Sequence, residues 1–262
     1  MNIALTIVFL FALSLFSSTI FQNIGFGMMI NSDALMIVGG GTVVAVFLGF
    51  PFKRLKRTVY DILDTFWSRA SNEETAKDII EITKTYKKAD IRKLEKKIRR
   101  IEDGFLKMGA NLLINNKTSD EIRAILERRM AVRMMDYNFS LNVLKTIARL
   151  TPSFGLAGTV ISLIKMFQNM VSIESIAPHM AVAMMSTFYG VIISNLFMLP
   201  LCAKLEEHAL QAEARMHGII EGIEGINNND PVINIEDRIN GYSMTWEMNP
   251  PEIKEPKIVA EI

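Results

Sequence analysis

Charge is almost missing from two long stretches of this 262-residue chain. From Met1 to Phe52 the only charged residue is Asp33, and from Leu150 to Ala203 only Lys165 and Glu174 are charged. A soluble core has no need to segregate charge into blocks, so one water-soluble domain is excluded as the simplest reading. Cysteine is scarce too. Cys202 stands alone, which rules out an internal disulfide and a cysteine metal cluster. His179, His208 and His217 lack a mutual spacing that would build a metal site. No nucleophile and base fall into a catalytic pattern, so no enzyme and no cofactor are expected, and no nucleic-acid partner either. Gly39, Gly40 and Gly41 sit in an apolar run without the strand, turn and helix of a phosphate loop, which leaves close helix packing as their reading. No Lys or Arg precedes the first apolar run and no small-residue cleavage site follows it, so that run is expected to stay in the protein.

What remains is apolar length. Ile3 to Phe21, Ala34 to Phe52, Leu150 to Met170 and Met180 to Ala203 are each about 20 residues, enough for a helix to cross a bilayer core of about 30 Å. The expected fold is all-α: a polytopic membrane protein with four transmembrane helices and a helical cytoplasmic domain. Between Lys53 and Arg149 lie 23 of the chain's 29 Lys and Arg against 14 Asp and Glu, while the connections 22–33 and 168–179 hold no Lys or Arg. The positive-inside rule then places the large loop and both termini in the cytoplasm, with two short loops outside. The same basic surplus also suits anionic lipid beside the membrane. The expected organisation is transmembrane helices over 1–52, a cytoplasmic loop over 53–149, two more transmembrane helices over 150–203, a helical extension over 204–240 and a tail over 241–262.

Within the loop, Ile91, Leu94, Ile98, Ile101 and Phe105 recur at three- and four-residue steps, the stripe of an amphipathic helix with cations crowding its other faces. Thr118 with Glu121 three residues on predicts a capping box. No stop signal follows before Pro152, so this helix is expected to run into the third span. Leu205 to Ile223 reads helical until Asn227 to Pro231 break it.

The third and fourth spans collect Pro152, Gly155, Gly158 and Thr159, then Ser186, Thr187, Gly190, Ser194, Asn195 and Pro200. Proline in a membrane helix frees a carbonyl that needs another donor, and can hinge there. Ser186, Gly190 and Ser194 form a small-xxx-small ladder for a close neighbour. Threonine hydroxyls can offer oxygen to a partly dehydrated cation, and can equally bond back to their own helix. Asp33 and Glu174 are read into the short external connections, so no carboxylate lies within a span. An ion-driven machine needs a titratable intramembrane group, and here another subunit would have to supply it.

The run Leu150-Thr-Pro-Ser-Phe-Gly-Leu-Ala-Gly-Thr-Val-Ile-Ser-Leu-Ile164, then Met180 to Gly190 and Asn195 to Leu205, resembles the signature of the MotA flagellar stator family, of the MotA/TolQ/ExbB superfamily. Leu94-Glu95 through Ile101-Glu102-Asp103-Gly-Phe-Leu106 resembles that family's torque loop. The resemblance implies a stator subunit in the inner membrane, a homopentamer around two copies of a single-span MotB-like partner that brings the ion-binding Asp. It implies an ion route past Thr159 and Thr187, conformational coupling at Pro152 and Pro200, and contact with a FliG-like rotor protein. The rotor charges map onto Lys96 and Glu102, with Arg99, Arg100 and Asp103 as neighbours. A threonine at the Thr159 position resembles the sodium-driven members, which favours transported Na+ over H+. The ExbB and TolQ-like energisers have one span before the loop, whereas two are read here; a non-conducting scaffold is the rival of another kind.

Overall fold

The computed structural model describes residues 30–67, 72–88, 91–115, 117–168 and 173–241. The first expected span and the tail lie outside them. Among the described residues the chain is all-helical: α1 Ser32–Gly49, α2 Phe52–Trp67, α3 Asn72–Tyr86, α4 Ile91–Arg100, α5 Gly104–Ile114, α6 Ser119–Gln168, α7 Ile173–Ile192, α8 Leu199–Asn227 and α9 Val232–Asn240. Among the described residues three stretches are long and apolar enough to cross a membrane: Ser32–Gly49, part of Ser119–Gln168, and part of Ser175–Asn227.

The helices group into two compact units. The described part of the first comprises residues 30–60 and 139–203, and so holds α1, the start of α2, the apolar end of α6 and α7. Its outer surface is apolar: Leu48, Leu156, Phe167 and Met184 are all largely exposed. Inside, small residues and hydroxyls dominate, with Thr42, Thr151, Ser162, Ser186 and Ser194 buried. Apolar outside and small or polar inside is the arrangement a bilayer permits, since lipid solvates the outer face as water cannot.

Two departures from the sequence reading occur in this unit, and the first has a local cause. Asp33 is helical rather than in a connection, because the Asn31 side chain accepts from the backbone N–H of Ala34 at 3.0 Å and starts α1 two residues earlier, at Ser32. An acid in a first turn also suits the positive end of the helix dipole. The backbone of Glu174 likewise falls in the first turn of α7, ahead of the expected start at Met180. Of the glycine run 39–41 in α1, Gly41 alone packs tightly within the chain: a Cβ there would sit 2.5 Å from the Phe154 ring, whereas Gly39 and Gly40 face open space.

The second unit comprises residues 61–138 and the chain from Lys204 on, so the loop and the helix after the last span fold together. Its core is a run of isoleucines and leucines. Ile79 and Ile82 of α3, Leu94 and Ile98 of α4, Leu106 and Leu113 of α5, Ile122 and Leu126 of α6, and Ile219, Ile220, Ile223 and Ile226 of α8 are all almost fully buried. Burying each such side chain contributes about 1.5–3 kcal/mol relative to leaving it in water. The capping box forms as the spacing predicts. Glu121 N–H donates to Thr118 Oγ1 at 3.3 Å, Thr118 N–H donates to Glu121 Oε2 at 3.2 Å, and the helix they open runs 50 residues through Pro152. The far end of α8 also stops where expected, with Asn229 at φ 59, a left-handed conformation that asparagine tolerates better than most residues.

The amphipathic stripe breaks earlier than its spacing suggests. α4 ends at Arg100, and Phe105 belongs to the next helix, where Leu106 takes the buried position. Asp103 is the cause: its Oδ1 accepts from the backbone N–H of Phe105 at 2.8 Å and of Leu106 at 3.1 Å, and a new N-cap ends the old helix.

A buried polar cluster joins α2, α6 and α8 inside this unit. Arg133 Nη1 donates to Asp61 at 2.9 Å, and Arg133 Nη2 donates to the Tyr137 hydroxyl at 2.9 Å. His208 stands edge-on to the Tyr137 ring, with Nε2 3.7 Å from Asp64. Burial holds the His208 imidazole below its usual range against the opposing pull of Asp64, and Arg215 and Arg133 push the same way as burial. A base whose folded form resists protonation leaves the unfolded chain binding more protons below about pH 6.5, so stability falls as pH falls through that region. The melting temperature of the purified protein is therefore expected to drop between pH 7.5 and pH 5.5, and His208→Gln to remove part of that slope. Equal slopes in both proteins by circular dichroism would refute the assignment to His208.

Candidate ion-conduction site

Glycine lets α6 and α7 meet backbone to backbone. A Cβ on Gly190 would lie 2.7 Å from the Thr151 carbonyl oxygen and 3.1 Å from Pro152 Cα. A Cβ on Gly155 would lie 2.9 Å from the Ser186 carbonyl oxygen and 3.3 Å from Thr187 Cα, and one on Gly158 would run into the Ser186 side chain at 2.6 Å. No side chain fits at these three positions without parting the helices. The Ser186-Gly190-Ser194 ladder thus meets the Pro152-Gly155-Gly158 face, as small-xxx-small spacing predicts.

Pro152 has no N–H to give the carbonyl four residues back, which is that of Ala148. Ser194, 46 residues away, donates its hydroxyl to this carbonyl at 2.7 Å. Thr151 Oγ1 reaches the same oxygen at 3.4 Å while donating to Ile147 O at 3.0 Å. Ser194 also sits in a wider turn, Ile193–Met198, whose backbone bonds skip to the fifth residue just before Pro200. Such π-turns are rare and cluster at functional positions. A second hydroxyl bridges the pair nearer the other end, Ser162 to the His179 carbonyl at 3.0 Å. The sequence placed Ser194 among the hydroxyls and small residues of the span; that its hydroxyl would find the proline's orphan could not be read from spacing along one helix.

Thr187 and Thr159 line the same helix pair. Thr187 lies against Gly155, and Thr159 is one turn further along α6 from that glycine. Both are half-buried, and the Thr159 hydroxyl donates to Leu156 O at 2.6 Å within its own helix. Residues 150–168 and 175–203 contain no Asp or Glu. The pair therefore offers oxygens to a cation and has no fixed negative charge of its own to hold one.

The charged residues assigned to rotor contact all lie in the other unit, and divide by what they touch. Lys96, Arg99, Arg100 and Glu102 are exposed at the end of α4. Asp103 is half-buried, caps α5 and pairs with Arg215 at 3.4 Å. Lys97 is tied to Glu81 of α3 in an ion pair. A cleft of about 390 Å³ opens between α3 and α4, lined by Asp78, Glu81, Lys93, Lys96, Lys97 and Arg100. Burial, then the neighbouring Glu81 and Glu74, raise the Asp78 carboxyl above its usual range.

Residues 97–217 match the MotA/TolQ/ExbB proton channel family. Motility protein A of Aquifex aeolicus is 34% identical over 203 residues, which are 75% of this chain and 79% of that protein. Chemotaxis protein PomA of Vibrio alginolyticus is 26% identical over 82% of this chain and 85% of its own. In fold, the chain is similar to the solved MotAB structure of C. jejuni, with a TM-score of 0.81 at 19% identity, covering 96% of this chain and 100% of that one. The family match spans the glycine-paired helices and the second half of the charged loop, and the chain belongs to the MotA/TolQ/ExbB proton channel family, with the motility A proteins.

Proposed function

We propose that the chain is the ion-conducting stator subunit of a bacterial flagellar motor, completed by a single-span MotB-like partner. One observation carries the reading. Two membrane helices pack through glycine with hydroxyls along their seam and no acid over residues 150–168 and 175–203, so the site lacks only the carboxylate that an ion carrier requires. A partner helix bearing one Asp, surrounded by five copies of this chain, supplies it.

In this reading an ion from outside passes Thr187 and Thr159 and neutralises the partner's Asp. The neutral acid loses its hold on one copy and engages the next, which turns the ring about the partner. Each charge crossing 100 mV releases about 2.3 kcal/mol, so a useful stroke sums many ions. Pro152 is the joint. The helix there keeps its orphan carbonyl satisfied through a side chain of another helix, a bond that can break without unwinding either backbone. Lys96, Arg99, Arg100 and Glu102 at the end of α4, with Asp103 behind them, face a FliG-like rotor protein through complementary charge, which governs approach and specificity at exposed contacts. The inner membrane, with both termini in the cytoplasm, is the setting that the basic loop fits.

Three outcomes test this. Thr187→Val, which keeps the shape and removes the hydroxyl, is expected to abolish swimming while the protein reaches the membrane in normal amount; normal swimming sinks the route. In a strain with this stator alone, swimming speed is expected to rise with external sodium, and indifference to sodium at constant pH would assign the ion to H+. Ser194→Ala is expected to cost about 1 kcal/mol of thermal stability in detergent, and close to nothing when Pro152 is already Ala, because the regained N–H then serves Ala148. Equal losses in both backgrounds would separate Ser194 from the proline.

A further inference from the structure

α2 begins where a membrane helix is forced to stop. Phe50 is extended at φ −133 and ψ 138, as a residue before proline tends to be, and Pro51 opens the next helix through its carbonyl, which accepts from Arg54 N–H at 2.8 Å. On this new helix Phe52, Val59, Leu63 and Phe66 recur at steps of seven, four and three, which is one stripe. All four are exposed, Phe52 at 70% and Val59 at 55%, with Tyr60 beside them at 58%. The other side is spoken for: Thr58 is 3% and Asp61 1% exposed. Lys53, Lys56 and Arg57 are exposed along the edge of the stripe, with Lys56 over the Tyr60 ring at 5.8 Å.

An exposed row of large apolar side chains edged by cations and entered straight from a spanning helix is a poor fit to water. It fits the boundary between acyl chains and headgroups, where apolar residues sink a few ångströms and lysines reach lipid phosphates. We infer that α2 is an interfacial helix that lays Phe52, Val59 and Tyr60 into the cytoplasmic leaflet and binds anionic lipid headgroups through Lys53, Lys56 and Arg57. Three things single out lipid as the occupant. The stripe begins three residues past the end of the spanning helix, its rim has the sign that anionic headgroups attract, and Phe47 and Leu48 at the end of α1 are exposed apolar residues next to it in sequence. The inference needs α1 to cross a bilayer and does not depend on the stator reading, so a swimming phenotype cannot decide it.

The test uses the full chain with Val59→Cys carrying a bimane fluorophore. Cys202, the sole native thiol, is buried and leaves the new one as the accessible target. In vesicles of phosphatidylcholine with phosphatidylglycerol, the label is expected to be quenched by shallow brominated lipid and protected several-fold from aqueous iodide, relative to the same label at Ile233→Cys on exposed α9. Iodide quenching equal to that at Ile233→Cys overturns the inference, and so does protection from both quenchers, which would mean that protein covers the stripe. Lys53→Gln with Lys56→Gln is expected to lower the enrichment of phosphatidylglycerol among retained lipids, by up to about fivefold per charge. Unchanged enrichment overturns the headgroup contact.

Discussion

The bond from Ser194 to the Ala148 carbonyl sets the terms for everything around it. In a bilayer no water waits to satisfy a stray backbone oxygen, so a proline at position 152 is tolerable only if some other group reaches that oxygen. Ser194 reaches it because α6 and α7 are in backbone contact, and they are in contact because positions 155, 158 and 190 carry no side chain. One polar requirement thereby dictates glycine at three sites and fixes the register of two helices. The hydroxyl-lined seam follows from the same register, since Thr187 is held against Gly155 by the same close approach.

Much of this was legible from residues alone, and the reason differs by element. Membrane crossing was read from where charge is missing, a signal summed over about 20 positions and hard to mistake. The capping box at Thr118 and Glu121 and the stop at Asn229 are local, so short motifs reported them faithfully. The proline's partner was not local. That an orphan exists at Ala148 follows from Pro152; that Ser194 answers it depends on a contact across 46 residues. The loop misled for the opposite reason. Periodicity ran on through Ile101 to Phe105 because both helices bury apolar residues in one core, and the stripe hid the cap at Asp103 that divides them.

The two units solve the burial problem in opposite ways. The first turns its large side chains outward and keeps glycine, serine and threonine within, so its helices are held by close contact and hydroxyl bonds rather than by the expulsion of water. The second buries isoleucine and leucine and leaves most of its charges outside, with Arg133 against Asp61 and Tyr137, and Arg215 against Asp103, drawn further in. The buried hydrogen bonds differ in kind between the two: backbone carbonyls answered by hydroxyls in one, a carboxylate answered by a guanidinium in the other.

Asp103 carries a consequence for how the basic helix can vary. Lys96, Arg99, Arg100 and Glu102 end in solvent, so their number and sign can be traded with little effect on folding. Position 103 is not free in that way. Its oxygen starts α5 and its carboxylate meets Arg215, which restricts it to the few short side chains able to accept from two amides. The surface charge pattern thus has one fixed point and four adjustable ones, and a chain tuning its grip on another protein can do so around Asp103 but not through it.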